Sequence, residues 1–130
     1  MSAPRAFDYA LYQVVPRVDR DERINAGVIL FCPAAAFLGC RLALDEVRLR
    51  VLAPAADLVA IAAQLDAIGA VCAGDPAAGP IAQLSPSERF HWLTTPRSTV
   101  VQPSVAHAGL CTDPAGALDR LFASAVAVPG

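Results

Sequence analysis

The sequence predicts a small α+β fold: a mostly antiparallel sheet of three N-terminal strands plus one late strand, covered on one side by helices. Three observations carry this. Two apolar runs near the start are joined by a link too short for a crossover helix. The middle of the chain then changes to apolar spacings of three and four, and one short β-like run precedes a final amphipathic segment. At 130 residues and 13.5 kDa the chain has the size of one domain, residues 1–130, with an ordered core at about 7–126.

The elements follow in order. Residues 7–15 place Phe7, Tyr9, Leu11 and Val15 on one face and Tyr12 and Val14 on the other, so this strand is covered on both sides. Residues 23–32 form a second run, and the seven residues Pro16 to Glu22 between them suit an antiparallel hairpin. Asn25 interrupts the entry to this run, either capping a bulge at Gly27 or facing a site. A third strand is expected at 37–44, where Leu38, Cys40, Leu42 and Leu44 alternate with Gly39, Arg41 and Ala43. Asp45 and Glu46 open a short helix that Pro54 ends. Asp57 caps a longer one in which Leu58, Ile61, Leu65, Ile68 and Cys72 share a face, with Gly74 as its stop. Ser85-Pro86-Ser87-Glu88 is a capping box with proline at the first helical position, and the helix must stop before Pro96. Residues 98–102 read as the fourth strand, closed by Pro103. Asp113-Pro114 opens the last helix, with Leu118, Leu121, Phe122, Ala125 and Val126 on one stripe.

Composition excludes more than it assigns. The net charge is −2, so no general basic field gathers nucleic acid, although a local basic patch is allowed; no membrane partner is expected, and there is no strong nucleic-acid signal. The longest apolar run, residues 26–32, is far short of a membrane span, and the N-terminus shows no secretory pattern. A cytoplasmic location is expected, with Cys32, Cys40, Cys72 and Cys111 reduced. Their spacing forms no zinc motif, so neither a metal nor a cofactor is expected. Twenty-seven alanines and ten arginines without a lysine read as codon usage rather than function.

One stretch could carry chemistry. Between residues 87 and 107 lie two arginines, both histidines, the only tryptophan and several hydroxyls. Arg89 and Arg97 could clamp a phosphate or carboxylate, and Ser98 and Thr99 could complete an anion cradle. His91 or His107 could move protons near neutral pH, and Trp92 could stack on a ligand. The plainer alternative makes Phe90 and Trp92 core anchors, pairs Arg89 with a nearby acid, and has His91 bridge helix and sheet. The charged turn at residues 17–23 reads as a solvated surface. A glycine-rich phosphate loop and a nucleophile elbow are both absent from the sequence.

The segments Asn25 to Pro33, Arg89 to Thr94 and Pro96 to Ser104, with His107 and Gly109-Leu110, resemble the bacterial family designated domain of unknown function 3037. The resemblance runs from Tyr9 to about Phe122; Ala108 stands where a hydroxyl residue is associated with the family. The resemblance implies no catalytic residues. It does imply gene neighbours encoding kinase-like proteins similar to the HipA toxin, and hence a protein partner. Two functions are therefore expected to compete. One is a binding or adaptor domain acting through that partner. The other is a phosphate- or nucleotide-binding sensor, or a phosphoester-processing enzyme, built on the segment 89–107.

Replacing Ser85 with alanine is expected to lower stability by about 1 kcal/mol, the usual size of a lost N-cap. Urea denaturation measures it, and an unchanged midpoint would show that packing alone starts this helix.

Overall fold

The computed structural model describes residues 3–16 and 22–126. β1 (Arg5–Val14), β2 (Ile24–Cys32) and β3 (Phe37–Leu42) form an antiparallel meander. Tyr9 stands opposite Leu30, and Ile29 opposite Cys40. The charged link between β1 and β2 lies, at residues 17–21, outside the described residues. β3 stops at Leu42, two residues earlier than its alternation suggested.

Three helices follow: α1 (Glu46–Leu52), α2 (Leu58–Ala73) and α3 (Pro86–Leu93). Their starts are set by the expected side chains. Asp45 accepts from the Arg48 amide, Asp57 from the Ala60 amide, and Ser85 and Glu88 form the full reciprocal box. α2 ends at Gly74, whose φ of 73° lies in the left-handed region. Two single turns of 3-10 helix, Pro76–Ala78 and Pro80–Gln83, fill the segment between α2 and α3.

The late strands differ from the expectation. β4 (Val101–Pro103) begins three residues after the expected start, and a second strand, β5 (His107–Cys111), follows it. Both pair antiparallel with the same edge of β1, end to end, so β1 lies inside the sheet with β2 on its other edge. Pro103 lies within β4 opposite Tyr12, which an edge strand permits because its other side needs no donor. Ser104 spans the break between the two: its hydroxyl accepts from the Leu11 amide at 2.9 Å and its own amide donates to the Leu11 carbonyl at 2.7 Å. In β5 the Phe7 ring covers Gly109 so closely that a Cβ there would sit 2.5 Å from it. A strand that opens His107-Ala108-Gly109 and has its one large aliphatic, Leu110, exposed carries little alternating apolar signal, which is why it escapes a periodicity reading.

Helices cover both faces of the sheet, not one. α1, α2 and α3 bury Leu49, Ile61, Leu65, Val71, Phe90 and Leu93 against Ala10, Tyr12, Val14 and Ile29. α4 (Pro114–Ala125) lies on the opposite face, where Ala117, Leu118 and Phe122 meet Phe7, Val28, Leu30 and Cys32. The two-faced apolar pattern of β1 and β2 demands this second layer. A bulge makes it work in β2: Tyr12 pairs with Gly27 and Gln13 with Asn25, leaving Ala26 unpaired. The extra residue reverses the alternation, so Ile24 and Ala26 face α2 while Val28, Leu30 and Cys32 face α4. Gly27 fits because a Cβ would lie 2.3 Å from Leu42 Cδ2.

Residues 28–30 are fully buried and paired on both sides, by β1 and by β3. Their amides are expected among the slowest to exchange with deuterium, at rates set by global unfolding. Rapid exchange at Ile29 would contradict this strand order.

Candidate functional site

The sheet separates the residues that sequence reading had gathered. Tyr9 belongs to the α4 face, and His107 stands opposite it on β5, with the two rings 5.4 Å apart. Asn25 is on that face too. Its Nδ2 donates to the Ala125 carbonyl at 3.1 Å, and its Oδ1 accepts from Gln13 Nε2 at 3.2 Å, tying the end of α4 to the sheet. Arg89, His91, Trp92, Arg97 and Thr99 belong to the other side, with α2 and α3. The two imidazoles therefore do not converge, and a pocket using both histidines does not form.

Arg89 is not placed to clamp a ligand. From α3 its Nη1 donates to the Cys72 carbonyl at 2.6 Å and the Val71 carbonyl at 3.4 Å, and its Nε to the Leu84 carbonyl at 3.0 Å. Cys72 and Val71 are in the last turn of α2, where the guanidinium meets the helix's partial negative charge and adds to the bond that the Val71 carbonyl accepts from the Gly74 amide. Its partner is thus a helix end and not the acid that sequence reasoning named. His91 is exposed on α3, and its carbonyl accepts from the Thr95 hydroxyl at 2.9 Å.

Trp92 and Arg97 form a unit. The tryptophan, read from sequence as a core anchor, is 39% exposed, while its neighbour Phe90 is buried and packs on Phe31. The Arg97 guanidinium lies 4.4 Å above the indole and donates from Nη2 to the Trp92 carbonyl at 2.9 Å. It caps its own preceding helix and stacks on the ring that this helix presents. Arg97 is exposed, and among the described residues no carboxylate lies within ion-pair distance of it. Thr99 turns its hydroxyl to the Val101 carbonyl at 2.7 Å, and Gln102 Nε2 donates to the Thr99 carbonyl at 2.6 Å. These bonds bend the chain at residues 99–100, just before β4 begins. Ser98 is exposed beside Arg97.

What these residues border is a groove. A cavity of about 210 Å³ lies between α2 and the segment after α3, lined by Gln64, Ala67, Ile68, Trp92, Arg97 and Thr99 among others. At Gln64 it adjoins a second, of about 380 Å³, whose walls include Pro16, Leu52, Pro54, Ala60 and Val100. Together they make a mostly apolar trough along α2 with a guanidinium at one end. Sequence reading missed the α2 wall. Its signal was present in Ala60, Gln64, Ala67 and Val71, a stripe at steps of four, three and four, but the alanines were attributed to codon usage.

The side of the groove at Arg97 depends on a buried phenol. Tyr12 is 1% exposed, and its hydroxyl donates to the Leu93 carbonyl at 2.9 Å, fixing the end of α3 to the sheet. Burial, more than the nearby Cys40 and Cys72 thiols, raises this phenol far above the ordinary tyrosine range, so it remains a donor. Tyr12→Phe leaves the Leu93 carbonyl without its donor and is expected to lower stability by about 1–3 kcal/mol. Chemical denaturation checks this; a loss below a few tenths would show that the bond does not hold α3.

Among the described residues, no helix is long and apolar enough to cross a membrane. No curated protein and no solved structure matches the chain significantly. The model of the family described as Protein of unknown function (DUF3037) matches residues 9–126, nearly the whole chain and every residue that lines the groove, and the chain belongs to that family.

Proposed function

We propose that this protein is a binding module that works through a protein partner, taking an extended acidic segment of that partner along the groove beside α2. One observation carries the reading: an apolar trough ends at an exposed guanidinium stacked on an exposed tryptophan. Tryptophan and arginine are the residues that most often dominate binding energy at protein interfaces, above all beside apolar pockets. The groove would bury the partner's apolar side chains, and Arg97 would meet its carboxylate bidentately. The partner to test first is the kinase-like protein that the family resemblance implies.

A second reading keeps Arg97 and drops the protein partner: a small phosphate-containing ligand held by the exposed guanidinium, with Ser98 and Thr99 nearby. It is narrower than the anion clamp expected from sequence, since Arg89 is engaged by α2 and His107 is on the other face.

Co-expression with the kinase-like partner, followed by affinity capture and titration, separates the two. A complex of micromolar or better affinity is expected, weakened at least about tenfold by Arg97→Ala, as a hot-spot truncation does. The same variant is expected to lose less than about 1 kcal/mol of stability, because its contacts are exposed. Absence of a complex, with phosphate raising the melting temperature in an Arg97-dependent way, would favour the second reading.

A further inference from the structure

The four cysteines fall into two pairs, and the pairs differ. Cys32 and Cys111 are both buried in the core beneath α4, where burial and the Cys32 thiol push Cys111 up. Cys40 on β3 and Cys72 on α2 meet on the other side of the sheet. They line one cavity of about 390 Å³, together with Leu38, Leu42 and Gly69. Cys40 packs against the core cluster that includes Cys72, so the two side chains are neighbours. Cys72 is buried and Cys40 only half-buried, so Cys40 is the more accessible of the two.

The surroundings make the two sulfurs unequal. The neighbouring Cys72 thiol holds Cys40 below the ordinary cysteine range, while Cys40 and burial push Cys72 up. Arg89 reaches from α3 to the carbonyl of Cys72, and its charge offsets only part of the rise at that thiol. Tyr12 also faces the pair and stays neutral. An accessible, more acidic thiol beside a protonated one is the arrangement of an attacking and a resolving cysteine.

We propose that Cys40 and Cys72 are a redox-active dithiol that a hydroperoxide converts to a disulfide joining β3 to α2. The Cys40 thiolate attacks one peroxide oxygen, and the O–O bond breaks. This leaves a Cys40 sulfenic acid and an alkoxide or hydroxide, which takes up the proton that Cys40 released. The Cys72 sulfur then attacks the sulfenic sulfur; the S–O bond breaks, and the departing oxygen leaves as water with the Cys72 proton. Two thiols have lost two electrons and two protons, and the peroxide has become an alcohol, or water, plus one water.

The test treats the reduced protein with a small excess of hydrogen peroxide and reads intact mass, free thiols and peptide linkage. The expected product is a monomer lighter by two hydrogens, with two of its four thiols lost and a Cys40–Cys72 link that dithiothreitol reverses. Cys32 and Cys40 share one tryptic peptide, so fragment ions assign the partner of Cys72. Cys72→Ser is expected to stop at a Cys40 sulfenic acid that dimedone traps, and Cys40→Ser to form no bridge. A Cys32–Cys111 link, an intermolecular bridge or four unreacted thiols in the wild-type protein would overturn the proposal, whether or not the variants fold.

Discussion

The bond from the Tyr12 hydroxyl to the Leu93 carbonyl is the interaction on which the functional side of the molecule depends. Tyr12 is part of β1, the strand flanked on both edges, and is among the largest side chains wholly removed from solvent. Leu93 is the last residue of α3. A helix of eight residues is too short to be stable alone, so its position comes from its cap at one end and this anchor at the other. Trp92 precedes the anchored residue and Arg97 stacks on Trp92, so the rim of the groove inherits its geometry from a phenol that never reaches the surface.

Arginine does different work at its two prominent positions. Arg89 reaches from one helix to the carbonyl end of another and thereby joins α3 to α2. Arg97 turns back onto its own helix and keeps a face open to solvent. The first is a structural joint requiring several directed donors, which a lysine could not reproduce. The second combines a helix-end contact with an accessible charge, so one residue can complement the dipole and still meet an anion. In the sequence the two are alike: each follows an acid or a proline next to the Trp92 segment, and only the third dimension tells them apart.

Local signals were legible and long-range ones were not. The hairpin, the acid-led start of α1, the capped starts of α2 and α3 and the left-handed stop at Gly74 all rest on neighbouring residues, and each appears as read; the bulge, one of two readings of Asn25, falls on Ala26 while Gly27 stays paired. The second helical layer was implied by apolar residues on both faces of β1 but was not drawn, because periodicity gives coverage without saying which element supplies it. β5 was invisible since Gly109 contributes no side chain and is covered instead by Phe7, a residue distant in sequence. The candidate site was legible only in part. Proximity along the chain placed His107 and Arg97 together, whereas one pairs on the edge of β1 facing α4 and the other lies beyond β4, on the side of α2. Alanines along α2, unremarkable in composition, leave the space that makes the groove.

The two faces of the β1–β2 hairpin also differ in when they can be covered. Asn25 finds its partner Ala125 a full 100 residues later, and β5 returns to β1 across a similar distance. The face toward α2 can close with much less of the chain made. During synthesis, then, Val28, Leu30 and Cys32 stand as an apolar strip on a formed hairpin long before α4 exists to cover them. A nascent chain that has formed this hairpin leaves that strip bare until α4 is made, and that interval is where chaperone binding or aggregation would act on this protein.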